Sequence, residues 1–232
     1  MKIPVCFTYT HDVPLAIASR LIESVKREMP KSHIYHQTDE VTPEIEGTIT
    51  VRLSKGEDFA EFFLRHLAEC PLERFIKLDY DCVVRRSLYP VFKHSFQVGL
   101  TRRDPKDSAQ SDAFTQRHPH NAGVMFSNGR HSFWKELYQA YMAIPDADGW
   151  MDACDAMETA VKATRCKVKD FPCSIYNYTP SMPDEDLSGR DVVHYKGMRK
   201  HWALDYGAMG EAIKENWSID GRVKEWLRRR EV

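Results

Sequence analysis

Short apolar runs rich in strand formers alternate along this chain with longer stretches whose apolar residues recur at helical spacing, and this alternation restricts the fold most. Ile3 to Thr8 is apolar and breaks at Tyr9-Thr10-His11-Asp12. Pro14 then suits a first helical turn, and Leu15, Ala18, Leu21, Ile22 and Val25 continue at helical spacing up to Pro30. Strands are predicted at His33 to His36 and Ile49 to Leu53, and Phe59, Phe62, Phe63, Leu67 and Ala68 mark a helix that stops before Pro71. Arg74 to Leu78 reads as a strand that runs directly into Asp79-Tyr80-Asp81. Further strands are expected at Phe96 to Thr101, Ala122 to Phe126, Val168 to Phe171 and Asp191 to His194, with helices at His131 to Met142, Asp152 to Ala163 and Arg222 to Arg230. The pattern predicts an α/β fold, a mostly parallel sheet with helices on both faces and ligands beyond the carboxyl ends of the strands. Arg102 to His120 is charged and aperiodic, so it is expected to be a lid or a disordered loop, and Tyr178 to Gly189 a surface loop.

With 232 residues, 42% of them hydrophobic, the chain can bury one sizeable core, and one domain is expected. A net charge of -1 gives no global case for a polyanion or membrane partner. Arg102-Arg103 and Arg228-Arg229-Arg230 could touch phosphates, but such runs are ordinarily solvated. The six cysteines form no C-x-x-C pair and read as reduced, buried small hydrophobes. The apolar start is too short for a signal peptide and no run approaches the ~20 residues that span a bilayer, so a cytoplasmic protein is expected.

Three D-x-D triplets occur, and context separates them. Asp146-Ala147-Asp148 and Asp184-Glu185-Asp186 follow prolines in turn-forming surroundings, whereas Asp79-Tyr80-Asp81 ends a buried strand. Burying two carboxylates there costs several kcal/mol unless a cation compensates, and a hard divalent metal does so. A helix N-cap or an ion pair with Arg85 or Arg86 would do so too. After the strand Asp191 to Val193, His194 offers a nitrogen ligand, Gly197 lets backbone N–H groups approach an anion, and Lys200 supplies a charge for phosphate. Asn121-Ala122-Gly123 leads into a strand with an amide able to meet sugar hydroxyls and a glycine that admits a ligand, or else forms a tight turn.

In order, these segments resemble the retaining family 8 glycosyltransferases and, more broadly, the GT-A fold. Leu78-Asp79-Tyr80-Asp81 matches the signature strand, Leu88 to Phe92 the short segment after it, and Asn121 to Met125 the N-A-G-V-m strand. His194, Gly197, Lys200 and Trp202 match the late H-x-x-G-x-x-K-x-W in register. The resemblance spans residues 1 to 205, with 206 to 232 as a helical tail. It implies that Asp79, Asp81 and His194 hold Mn²⁺ or Mg²⁺ against a sugar nucleotide, with Asp79 also near the ribose. Gly197 and Lys200 would contact the diphosphate; Thr8, Tyr9 and Thr10 would lie at the uracil base of a UDP-sugar. Arg65 would be the basic residue of the helix preceding the D-x-D strand. The family's Asp-Gln pair facing the donor sugar is replaced by a region offering Asp152 or Asp155 and no glutamine, and the proline before the tryptophan is His201.

The reaction so implied is metal-dependent transfer of a sugar with retention. Asp152 is the candidate nucleophile if the route is covalent; otherwise the acceptor enters on the face that the diphosphate leaves. The acceptor is open among glycan, lipid-linked sugar, protein hydroxyl and modified nucleic-acid base. A sugar-nucleotide nucleotidyltransferase would need a glycine-rich phosphate loop after the first strand, and Thr8 to Pro14 contains no glycine. A catalytically silent sugar-nucleotide-binding protein is the other alternative.

Overall fold

The computed structural model describes residues 2–54, 58–104, 112–147 and 149–203. The helix expected at 222–230 lies outside them. In chain order the strands are β1 (Val5–Thr8), β2 (Ile34–Thr38), β3 (Ile49–Arg52), β4 (Arg74–Leu78), β5 (Cys82–Val84), β6 (Val98–Arg102), β7 (His120–Asn128), β8 (Val168–Pro172) and β9 (Val192–His194). The helices are α1 (Leu15–Glu28), α2 (Phe59–Ala68), α3 (Asp112–Arg117), α4 (Phe133–Met142), α5 (Trp150–Ala163) and α6 (Cys173–Tyr176). Seven strands make the central sheet in the order β3-β2-β1-β4-β7-β6-β8. It is mostly parallel, as predicted; β7 alone runs against its neighbours.

Side-chain alternation along the strands builds two apolar layers. Val5 and Phe7 of β1, Ile76 and Leu78 of β4, and Val124 and Phe126 of β7 pack with Ala18, Leu21, Ile22 and Val25 of α1. Cys6, Phe75 and Met125, one position out of phase, face α2, α4 and α5 on the other side. Lys77 shares the phase of Phe75 and is 2% exposed, so β4 buries an ammonium where its neighbours bury hydrocarbon.

The segment from Arg102 to His120, expected to lack regular structure, contains α3 and the start of β7 within its described part. Long-range polar contacts order it. The buried Arg103 guanidinium donates through Nη1 to the carbonyls of His118 and His120, and His120 Nδ1 meets Glu158 of α5 at 3.1 Å. No sequence period reports such contacts. All six cysteines are free thiols, and among the described residues no helix is long and apolar enough to cross a membrane.

Candidate active site

The ladder between β6 and β7 slips at the edge of the sheet where β4 ends. Leu100 pairs with Met125, but its successor Thr101 pairs with Asn121, so Ala122, Gly123 and Val124 bulge out of register with β6. Because β7 is reversed, this bulge comes to the edge where β4 ends. There the chain turns: Asp79 N–H donates to the Gly123 carbonyl at 2.8 Å and Cys82 N–H to the Asp79 carbonyl at 3.0 Å. β5 then leaves the main sheet and pairs antiparallel with β9, with Cys82 opposite His194. A turn that presents Asp79 and Asp81 together thus meets a ribbon that carries His194 to them.

His194 Nε2 lies 2.9 Å from Asp81 Oδ1 and 3.3 Å from Asp79 Oδ2. Neighbouring hydrogen bonds decide which ring nitrogen carries the proton. Thr101 Oγ1 donates to a backbone carbonyl, Asn121 at 2.8 Å or Val124 at 3.0 Å, and so accepts from Asn177 Nδ2 at 2.7 Å. Asn177 Oδ1 therefore faces His194 Nδ1, 2.8 Å away, and a carboxamide oxygen can only accept. Nδ1 carries a proton, and in the neutral form of the ring the Nε2 lone pair faces two carboxylates. Gly123 makes room for the ring: a Cβ there would stand 2.3 Å from His194 Cε1 and Nδ1.

A divalent cation fits this donor set. A lone pair aimed at two carboxylates is repulsive unless a cation or proton lies between them. Asp81 Oδ1 is buried and, despite its closeness to Nε2, accepts no hydrogen bond among the described residues. Asp79 is divided, with Oδ1 paired to Lys77 Nζ and Oδ2 facing the imidazole. Burial pushes the Asp81 carboxyl up, but the His194 ring, when it carries a proton on Nε2 as well, and the Lys200 ammonium outweigh it and hold it well below the usual carboxylate range. Two oxygens and an imidazole nitrogen suit Mn²⁺ or Mg²⁺ better than a soft ion. The Cys82 thiol, close enough to join the cluster, instead lies 3.8 Å from the Gly123 carbonyl, and burial with Asp79 and Asp81 raises its pKa well above the ordinary thiol value.

These groups lie in a cleft of about 560 Å³ that Thr8, Asn121, Gly123 and Lys200 also line. Lys200 Nζ sits 3.3 Å from Asp81 Oδ2 and 4.4 Å from the centre of the Tyr80 ring. Asn121 Oδ1 accepts from Gly123 N–H at 3.0 Å; its NH₂ has no hydrogen bond among the described residues. Five predicted residues do not line the cleft. Tyr9 and Thr10 are buried, the Tyr9 hydroxyl donating to the Val13 carbonyl at 2.6 Å. Arg65 reaches the Ser54 carbonyl and Glu61. Gly197, at φ 58°, opens a 3₁₀ segment over Gly197–Ala203. Asp152 lies in the first turn of α5, and the next residue, Ala153, lines the cleft in its place.

No family model matches the sequence, and no curated protein matches it. Among solved structures, the galactosyltransferase LgtC, in complex with donor and acceptor sugar analogs, is 16% identical, with 88% of this chain and 90% of that one covered at a TM-score of 0.59. The chain has the GT-A fold. The glycosyltransferase GlyE of Streptococcus pneumoniae TIGR4 gives a TM-score of 0.62 at 14% identity, covering 99% of this GT-A chain and 64% of its own. The bifunctional WbbM gives 0.58 at 16%, covering 87% of this chain and 47% of its own.

Two residues of the GT-A cleft and its surroundings escape sequence reasoning. Lys77 gave one signal, a cation inside an apolar strand, which must find a partner. Its Nζ takes the Asp79 carboxylate and the Ala122 carbonyl, the latter at 2.7 Å, and lies 4.6 Å from the Phe63 ring centre. Asn177 gave none, because its role depends on a contact with His194 that no spacing encodes.

Proposed function

We propose that the protein is a metal-dependent glycosyltransferase that moves a sugar from a nucleotide-diphosphate donor, a UDP-sugar, to an acceptor with retention. The observation that carries this reading is the convergence of Asp79, Asp81 and His194 on one point at the ligand-binding edge of a GT-A sheet. The glycosyltransferase neighbours support it.

Asp79 Oδ2, Asp81 Oδ1 and His194 Nε2 would hold Mn²⁺ or Mg²⁺. When bound, the ion supplies Lewis-acid stabilisation of the diphosphate leaving group. Lys200, fixed between Asp81 and Tyr80, adds a positioned positive charge for the same developing negative charge. Lys77 keeps Asp79 Oδ1 occupied and leaves Oδ2 for the ion. The Asn121 NH₂, without a hydrogen bond among the described residues, would donate to the transferred sugar.

Among the described residues lining the cleft, the carboxylates are Asp58, Asp79 and Asp81. Asp58 is engaged by the N–H groups of Ala60 and Glu61 and by the Tyr141 hydroxyl, and the other two are metal ligands in this reading. Among the described residues lining the cleft that leaves no carboxylate for covalent attack, which supports attack from the face that the diphosphate leaves.

Nucleotide release from UDP-, GDP- and CMP-sugars with Mn²⁺ tests the proposal. Release is expected with one UDP-sugar, with loss in excess chelator and a fall of about 10²–10³ in Asp81→Ala. Full activity in chelator would sink the metal assignment.

A further inference from the structure

The cleft joins two kinds of lining. Its polar groups Asp81, His194 and Asn121 are buried. The first two turns of α2 and α5, helices packed on one face of the sheet, contribute an apolar lining of Phe59, Ala60, Phe63, Trp150 and Ala153. Ala60, Phe63 and Ala153 are buried, but Phe59 is 49% exposed and Trp150 51%. Two half-exposed aromatic rings in a cleft leave apolar area in water that a ligand can cover.

The Trp150 ring is held in place from behind. Its centre lies 5.7 Å from that of Phe114 of α3, with the two planes 10° from parallel. The Arg103 guanidinium in turn lies 5.2 Å from the centre of the Phe114 ring. Guanidinium, phenyl and indole brace one another. Phe114 takes one face of the indole, so the exposure falls on the opposite face and the ring edge. A side chain already fixed loses little freedom when a ligand settles on it.

A lipid chain calls for an apolar channel, whereas this cleft is also lined by Asp79, His194 and Lys200. The complementary ligand is apolar on one face and hydrogen bonding on its edges. A pyranose has that form: the polarised C–H groups of one face meet the electron-rich face of an aromatic ring, and its hydroxyls reach polar neighbours. We propose that Trp150, with Phe59, is the platform on which a pyranose ring of the acceptor stacks. This rests on the donor reading above, in which the donor lies along the buried metal ligands and the second substrate enters over the half-exposed rings. The acceptor class is thereby narrowed to sugars with an unobstructed C–H face.

The test is NMR titration of the full chain, saturated with UDP and Mg²⁺, with methyl β-D-galactopyranoside and methyl β-D-glucopyranoside, and with sorbitol, uridine and hexanol for comparison. At least one glycoside is expected to bind about tenfold more tightly than sorbitol, an open-chain polyol without a ring face, and to show ring C–H protons shifted upfield by the indole. Trp150→Ala should remove both the shift and the preference at unchanged melting temperature, and Trp150→Phe should restore them. Equal binding of glycosides and sorbitol, or an upfield shift that survives Trp150→Ala, overturns the platform. So does Trp150-dependent binding of uridine or hexanol in place of the glycosides, which would assign the ring to a nucleoside or a lipid chain. If Trp150→Ala fails to fold, cross-relaxation in the unmutated protein between glycoside ring protons and an indole signal that Trp150→Phe removes decides instead, and its absence overturns the platform. Failure of UDP itself to bind would overturn the donor reading, and the same titrations on the free protein would then decide the platform alone.

Discussion

His194 can serve as a ligand only through Nε2, and groups on its other side decide that. Asn177→Ala removes the acceptor for Nδ1–H and frees the ring to turn or change tautomer. Mn²⁺ affinity, followed by the paramagnetic resonance of free ion, is expected to weaken about 10- to 100-fold while the melting temperature changes little. Gly123→Ala places a methyl group on the imidazole; a loss of about 1–3 kcal/mol in denaturant unfolding should accompany loss of metal binding. The acidic pair and the imidazole were legible in the sequence because they stand at strand ends, where a buried charge calls for a partner. Asn177 and Gly123 act through contacts between distant segments, so the amide was unmarked and the glycine was read as an opening for a ligand or as part of a tight turn.

α2 and α5 present their N-termini to the cleft, and one hydroxyl links them. Asp58 accepts the N–H groups of Ala60 and Glu61 at 2.6 and 2.9 Å and the Tyr141 hydroxyl of α4 at 2.8 Å; the N-cap of α5, Gly149, also hydrogen bonds to Tyr141. Asp58→Ala is expected to cost about 1–2 kcal/mol in urea unfolding, and Tyr141→Phe about 1 kcal/mol. The long elements were legible because their periodicity extends over several turns or a full strand. β5, α3 and α6 were not, being too short to show a period, and α5 begins at Trp150 because Gly149, not the acidic residue at 152, breaks the chain. The start of β7 was hidden because His120 is fixed by Glu158 and Asp170 from other elements, at 3.1 Å each.

Across the whole molecule, the buried histidines set opposing responses to pH. Burial, with smaller contributions from Arg65 and His36, outweighs a hydrogen bond to Thr38 and lowers His66 to about 4. Its contribution is intact above the ordinary value near 6.5 and is lost as pH falls toward 4, by up to about 3 kcal/mol. Burial of His120 is outweighed by Glu158 and Asp170, which raise it, so that contribution is full below 6.5 and declines as pH rises through the folded value. His36, His118 and His131 shift in the same direction as His66, so the acid limb should dominate. Urea unfolding at pH 7 and pH 5 should show a clear loss at pH 5, reduced in His66→Gln, which keeps a donor for Thr38 but cannot titrate. The mostly parallel α/β architecture was legible from the alternation of elements; the single reversed strand was not, since strand direction follows from connections rather than from composition. The two-stranded ribbon carries a further consequence. Since β9 delivers the imidazole to a turn made far earlier in the chain, a nascent polypeptide that has not yet emerged past residue 194 holds both acidic groups but lacks their third partner. In the metal-dependent reading proposed above, competence to capture the ion therefore arrives only once β9 has paired with β5, and metal uptake would report that these two segments have met.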